Sequence, residues 1–587
     1  VWNTWQEIGY WAQALVGRHV CYCPNTLAHY RRWLQGTYGG IDHLNSTWNT
    51  RYANWQDVVP ERTTAFQPTM QDSAWRYFMD NVQIGVVLEA RAAAIREADT
   101  LKRPVFAHKG GPIIGAGHDW NYARCQDFLG SSAYPAWGCL YDWDDGYSRP
   151  FAKHTVLLGE MWYAVSLRFD YIRCANSPGK HVWAAEFQGG PVSTGFHKGR
   201  VPAPEDIRRW MLTAIGSGVT GISFWVARAE IASMELSGFG LLDGTGETTP
   251  RLAEASRIGH ALNRYPDLFT TSTTPRAQVA ILVDEWKYQI TTGLGAANHL
   301  TYSLRGWYRL LWDAGIPVDF IDTSELKDAC AGGYKVLILA FPLVLSEEIA
   351  RRLADLARGG TSIVADAMPG RIDGNGYSTC GEMSAAMAEL FGATQSSCIM
   401  VREPGGGTRW SFPERTWGEY LEPAVLFGSG PLARQKLRAN VYVQMFTLIN
   451  GLPVLKLGKD IAGVYRKVGD GHAWLLGTFV GHGGTAYRDP ASRACILRIL
   501  NLCGVQTGAA GRLLRRRRVA ADREAWILTN PTPRRVVEKV DIHGFSSVTD
   551  ALTGKSFAVS DGAISVTLAS LDVALLVLER KGVAHGR

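Results

Sequence analysis

His181-Val182-Trp183-Ala184-Ala185-Glu186-Phe187-Gln188-Gly189-Gly190-Pro191 is a short apolar run that ends on a carboxylate and breaks at once into two glycines and a proline. A run of this length, closed by turn residues, reads as a strand buried in a parallel sheet. Near the start of the chain, Thr4-Trp5-Gln6-Glu7-Ile8-Gly9-Tyr10 repeats the theme, with Glu7 where the strand gives way to a loop. Around these two runs, strand-like and helix-like segments alternate up to about residue 270. Strands are expected at 2–8, 104–108, 127–132, 181–187 and 221–227. Helices are expected at about 72–99, 118–126, 154–175, 204–217 and 250–268, the last opened by Pro250. Alternating units of this kind make a parallel sheet covered by helices. A closed (β/α)8 TIM barrel needs eight strands. The five found here predict a barrel without its first three strands, in a chain that lacks its beginning.

Strand ends matter because the carboxyl ends of all barrel strands converge on one face, so residues far apart in sequence can meet there. Two carboxylates that meet suit glycosidic bond cleavage. A retaining mechanism needs one carboxylic acid to protonate the leaving oxygen and one carboxylate, about 5 Å away, to attack the anomeric carbon. Glu7 and Glu186 are therefore the candidate catalytic pair. Either one alone would read as an ordinary surface charge.

From about 276 the alternation restarts with Gln278-Val279-Ala280-Ile281-Leu282-Val283-Asp284. A helix near 298–314, strands at 317–321 and 335–341, a helix at 346–358 and a strand at 361–365 predict a doubly wound, flavodoxin-like α/β domain running to about 505. No Gly-rich phosphate loop and no cysteine in a tight Gly-rich turn follows these strands, so a nucleotide-binding or amidotransferase role is disfavoured. Residues 519–580 alternate apolar and polar positions in short runs, which predicts a small antiparallel β-sandwich. The expected domains are 1–272, 273–508 and 509–587.

The chain has 587 residues, 46% of them hydrophobic, which is enough to bury several cores. Its 21 tryptophans crowd the first half and suit stacking on sugar rings as well as core filling. A net charge of +7 is too mild to argue for nucleic acid. The run Arg512, Arg515, Arg516, Arg517 and Arg518 reads as a solvated interdomain loop. No apolar run reaches the ~20 residues that span a bilayer, so no membrane partner is expected. The chain begins with Val1, which leaves the compartment open, the cytoplasm being preferred. The ten cysteines show no repeated CxxC spacing.

The segment after Glu7 carries the most specific signals: Cys21-Tyr22-Cys23-Pro24, Tyr30-Arg31-Arg32-Trp33-Leu34, Tyr38-Gly39, Leu44-Asn45, Trp48-Asn49-Thr50 and Trp55. In this succession the chain resembles the family 42 glycoside hydrolases, the β-galactosidase family whose barrels carry the acid/base on the fourth strand and the nucleophile on the seventh. The resemblance makes Glu7 the acid/base and Glu186 the nucleophile. It places Tyr134 beside the nucleophile and gives Glu235 and Trp225 contacts to the inner-subsite sugar. The middle domain is similar to the family's trimerisation domain and implies a homotrimer. The tail is similar to its small β domain.

Several residues depart from that pattern. Gln6 stands where the family has an asparagine that holds the sugar 2-hydroxyl. Thr194 and Ser237 replace an expected tryptophan and histidine. The inner subsite has been rebuilt, so the epimer is open. Thr26 replaces the third cysteine of the family's zinc cluster. Cys21 and Cys23 cannot alone complete a four-ligand site, so neither metal nor cofactor is expected. The expected function is that of a retaining, exo-acting β-glycosidase, most closely a β-galactosidase, with a carbohydrate substrate. The alternatives are a related enzyme for β-mannosides or α-L-arabinopyranosides, or a non-catalytic carbohydrate-binding remnant.

Overall fold

A computed structural model describes the chain except for residues 10–20, 61, 63–69, 111–117, 137–153, 195–196, 200, 328–332, 380–382, 402–419, 422–423, 483–488, 508–510 and 582–587. Five strands, β1 (Trp2–Asn3), β2 (Val105–Lys109), β3 (Phe128–Ala133), β4 (Trp183–Gln188) and β5 (Gly221–Trp225), pair side by side in chain order, all parallel. They form a (β/α) half-barrel. β2 and β3 are buried along their whole length, including the polar residues His108, Lys109, Ser131 and Ser132 at their carboxyl ends.

β1 is shorter than the expected 2–8. Its continuation still follows β2, through Thr4 N to Phe106 O at 2.7 Å, His108 N to Trp5 O at 3.1 Å and Ile8 N to His108 O at 2.8 Å. Regular pairing fails because Glu7 takes a left-handed conformation, with φ of 47°.

The connection from β1 to β2 contains helices Pro24–Tyr38, Ile41–Trp48 and Met70–Tyr77, the last passing through a π-helical segment Phe78–Gln83 into Ile84–Ala98. The sequence reading left the first two unassigned. Their signals are local ones. Cys23 caps the first helix, Pro24 sits in its first turn, and Gly39 closes it with φ of 71°. These helices bury Tyr30, Leu34, Leu44, Trp48, Trp75 and Phe78 in a cluster apart from the main core.

In the middle part, strands Val279–Val283, Val318–Asp322, Val336–Leu339, Ser362–Ala365 and Gly471–Leu476 lie parallel in the order 2-1-3-4-5. This is the doubly wound, flavodoxin-like order. The sheet then continues with antiparallel strands Asp460–Val468, Leu452–Leu457, Val425–Gly428 and Lys436–Arg438, which the doubly wound reading did not include.

The C-terminal part packs the antiparallel sheet of Leu514–Val519, Arg523–Thr529, Val573–Arg580 and Phe545–Asp550 with the ribbon of Val536–Asp541 and Ala563–Leu568. Trp526, Leu528, Val540, Ile564 and Leu576 share its core. The arginine run corrects the sequence reading. Arg515 to Arg518 form a strand, not a solvated loop, because each faces a partner from elsewhere in the chain. Arg515 lies over the Trp526 ring, Arg516 pairs with Asp170 at 3.0 Å and Arg517 with Glu524 at 2.7 Å. Arg518 is buried and donates to the carbonyls of Ile215, Val219, Phe269 and Ser272. Among the described residues, no helix is long and apolar enough to cross a membrane.

Candidate active site

The carboxyl ends of β1 to β4 bring together four of the six site residues named from sequence: Gln6, Glu7, Tyr134 and Glu186. A bulge sets their alignment. Ser131 pairs with Ala184 but Ser132 pairs with Glu186, so β4 carries one extra residue, Ala185, relative to β3. The pairing of β4 with β5 slips in the same place, between Ala184 and Phe187. One inserted residue exchanges the two faces of a strand, and such bulges re-aim side chains next to active sites. Here the insertion aligns Glu186 with Ser132.

Glu186 is buried and receives three firm hydrogen bonds. Gln6 Nε2 donates at 2.6 Å and His108 Nε2 at 3.2 Å to Oε1, while the Tyr134 hydroxyl donates at 2.7 Å to Oε2. Asn3 Nδ2 donates to His108 Nδ1 at 3.0 Å, which leaves the ring proton on Nε2, facing the glutamate. Burial of Glu186 opposes its ionisation. The bonds from His108, Gln6 and Tyr134 outweigh burial and hold its carboxyl below the usual glutamate range.

Glu7 is held differently. Its Oε1 lies 3.0 Å from the Ser132 hydroxyl, and that same oxygen of Ser132 is 3.5 Å from Glu186 Oε2. The two glutamate oxygens are thus no farther apart than those two distances end to end, about 6.5 Å. Burial raises the Glu7 carboxyl above the usual range, the charge of Glu186 adds to the rise, and Ser132, His108 and Arg168 temper it. The backbone makes room for this carboxylate at Gly110, where an added Cβ would meet Glu7 Oε1 at 3.0 Å. Burial of Arg168 brings its guanidinium down to about 10, and its Nη1 donates to the carbonyls of Gly110, at 2.8 Å, and Ser132.

The other two named residues pair with each other beside this group. Trp225 Nε1 donates to Glu235 Oε2 at 3.0 Å. The charge of Glu235 acts on the Tyr134 hydroxyl, and the Tyr134 ring meets Phe239 edge-on at 5.4 Å. Three contributors escaped the sequence reading: His108, Ser132 and Arg168. His108 lies near the end of its apolar strand much as Glu186 does, which is a usable signal. Nothing local marks Ser132, whose place depends on the bulge in β4. The Cys21 and Cys23 sulfurs lie 3.8 Å apart, and both face the Thr26 hydroxyl. Among the described residues, no group of three or more His, Cys, Asp or Glu side chains is arranged to hold a metal ion.

Two carboxyls at the carboxyl ends of parallel strands are thus shifted in opposite directions, an arrangement that suits acid/base chemistry. Residues 13–265 match the glycoside hydrolase family 42 model described as beta-galactosidase, and residues 277–423 match the beta-galactosidase trimerisation domain. The chain belongs to glycoside hydrolase family 42. One relative, the beta-galactosidase LacZ of Heyndrickxia coagulans, is 25% identical over 392 residues, covering 64% of this chain and 54% of that protein. The beta-galactosidase BglY of Alicyclobacillus acidocaldarius is 22% identical over 403 residues, with the same coverage. The chain spans about half the length of these curated relatives.

Among solved structures, the beta-galactosidase from Bacillus circulans sp. alkalophilus superposes with a TM-score of 0.76 at 16% identity, covering 98% of this chain and 78% of that one. A family 42 exo-carrageenase from Bacteroides ovatus superposes with a TM-score of 0.57 at 14% identity, covering 95% and 63%. At these identities the likeness concerns the fold alone. The fold of family 42 therefore carries more than one named activity.

Proposed function

We propose that this protein is a retaining, exo-acting β-glycosidase of the β-galactosidase kind, in which Glu186 is the nucleophile and Glu7 the acid/base. The observation that carries the reading is the opposite treatment of the two carboxyls. Three donors favour the ionised form of Glu186, while burial and the neighbouring charge favour the protonated form of Glu7. A pair of titratable groups pushed apart in this way is how acid and base roles are divided. An oxygen separation of at most about 6.5 Å is compatible with the short spacing of a retaining pair.

In the first step Glu186 attacks the anomeric carbon and Glu7 delivers its proton to the leaving oxygen. In the second, Glu7 takes a proton from water, which releases the sugar from Glu186. Gln6, Tyr134, Trp225 and Glu235 surround the position of the sugar ring and orient it. The relatives named as beta-galactosidases support galactose as the first sugar to try. Because Gln6 already bonds Glu186, its contact with a sugar 2-hydroxyl differs from that of a shorter asparagine. A β-mannoside or an α-L-arabinopyranoside is therefore the next candidate. The match to a trimerisation domain supports a homotrimer, which sedimentation of the full-length protein checks.

Glu186→Ala in the full-length protein, assayed on a panel of aryl glycosides, is the test. Loss of turnover on every sugar is expected. Near-normal rates on any of them would overturn the assignment of the nucleophile.

A further inference from the structure

Ser132 is buried between the two glutamates. Its hydroxyl oxygen is 3.0 Å from Glu7 Oε1 and 3.5 Å from Glu186 Oε2. A serine hydroxyl has one proton to give and two lone pairs to receive with. It cannot donate to both carboxylates at once. If Glu7 carries the proton of the pair, its O–H can donate to Ser132 Oγ, and this frees the serine proton for Glu186. If Glu7 is ionised, Ser132 donates to it across the shorter distance and Glu186 loses that donor. The hydroxyl therefore couples the protonation of one glutamate to the solvation of the other.

We propose that Ser132 is a positioning residue that switches its one donor within the chain Glu7–Ser132–Glu186, donating to Glu186 while Glu7 holds the proton of the pair and to Glu7 once that proton has passed to the leaving group. The inference rests on the assignment of Glu7 and Glu186 made above. No bond to carbon is made or broken, and the proton stays on Glu7 until it passes to the leaving group. The other groups that face the pair are His108 from β2, Arg168 from helix His154–Ala175, Tyr134 after β3, Gln6 before Glu7, and Glu235 in the loop after β5. Only Ser132, among the described residues, bonds both glutamates.

The test is the pH dependence of kcat/KM on p-nitrophenyl β-D-galactopyranoside for the full-length protein and its Ser132→Ala and Ser132→Thr variants. In Ser132→Ala both limbs of the bell move up. The acid limb rises because Glu186 loses a donor. The alkaline limb rises because ionised Glu7 loses the donor that Ser132 turns to it. Each limb moves by about half a unit to one unit. Ser132→Thr keeps the hydroxyl and the limbs of the parent.

A serine that only donated to Glu7 would leave the acid limb in place on removal, and that result overturns the proposal. So do unmoved limbs with a lower kcat, and so does a threonine variant whose limbs move as the alanine variant's do. If Ser132→Ala does not fold, Ser132→Cys, a weaker donor of nearly the same size, must move both limbs up partway or the proposal fails. Glu186→Ala measured in parallel separates the two levels. Turnover without Glu186 removes the underlying assignment, whereas a dead Glu186 variant beside unmoved Ser132 limbs removes only the proton chain.

Discussion

Replacing Arg516 with methionine probes the point where the three parts of the chain meet. Arg516 lies on strand Leu514–Val519 of the C-terminal sheet. Its Nη2 donates to Asp170 Oδ2 at 3.0 Å and to the Tyr308 hydroxyl at 3.2 Å. Asp170 is buried on barrel helix His154–Ala175, and Tyr308 sits on helix Ala297–Asp313 of the middle part. Removing one partner of a buried ion pair costs about 3 to 5 kcal/mol, because the other charge is left without compensation. Asp170 would keep the Tyr308 hydroxyl at 2.6 Å and a longer contact to Arg173 at 3.4 Å. That places the loss at the low end, about 3 kcal/mol, or roughly a hundredfold in an opening equilibrium.

Amide hydrogen exchange along Arg523–Thr529, the strand paired with Leu514–Val519, reads that opening directly. A rise of about a hundredfold in its exchange rate is expected. The double variant Asp170→Leu with Arg516→Met replaces the pair by apolar groups and should recover most of the loss. A single variant that changed exchange less than threefold would refute the view that this charge couples the C-terminal sheet to the rest of the chain.

Gly110→Ala would put a methyl group 3.0 Å from Glu7 Oε1 and 3.1 Å from its carboxyl carbon. The carboxylate must shift, so kcat on an aryl glycoside should fall about tenfold with little change in melting temperature. His108→Ala takes a donor from the ionised form of Glu186, so the acid limb of the kcat/KM profile should move upward; a downward move would contradict the assigned ring proton. Asp366 is buried, and burial pushes its carboxyl up to about 7 against the bonds from Trp307, Phe341 and Val480. The folded state therefore keeps a proton that the unfolded chain has released above about pH 4. Stability is lost as pH rises from about 4 to 7, at up to roughly 1.4 kcal/mol per unit. Urea titrations should show that Asp366→Asn lacks this slope.

The half-barrel was legible because its strands are short runs closed by turn residues, and the helix after the last of them, Pro250–Asn263, opens on its own start signal, the Thr249 cap with Pro250 in the first turn. Four of the five parallel strands of the middle sheet were legible for the same reason, while Gly471–Leu476 was not assigned. The antiparallel half of that sheet was not legible, since runs such as Asp460–Val468 show neither a continuous apolar stretch nor clean alternation. The arginine strand misled because charge partners lie far away in sequence. Nothing near Arg518 announces the carbonyls of Ile215 and Phe269.

Within the site, both glutamates could be found from strand ends alone. The serine between them could not, because its alignment depends on one extra residue in a neighbouring strand. The four departures at Gln6, Thr26, Thr194 and Ser237 were visible as letters, but only the structure shows that Gln6 reaches Glu186.

The left-handed backbone at Glu7 makes the two glutamates unequal targets for deletion. A non-glycine residue at φ of 47° stays there only while its surroundings insist on it. The bond from its side chain to Ser132 is part of that insistence. Glu186 sits in an extended strand and can be shortened to alanine with its backbone undisturbed. An alanine at position 7 gives up the side-chain tether and keeps the steric penalty, so the peptide is free to swing toward a commoner conformation and carry the start of the following loop with it. Glycine accepts the same turn at no steric cost. The fair comparison between the two carboxyls is therefore Glu7→Gly against Glu186→Ala. Chemical rescue by a small external anion should be sought in those two proteins, where the space vacated by each side chain keeps its original walls.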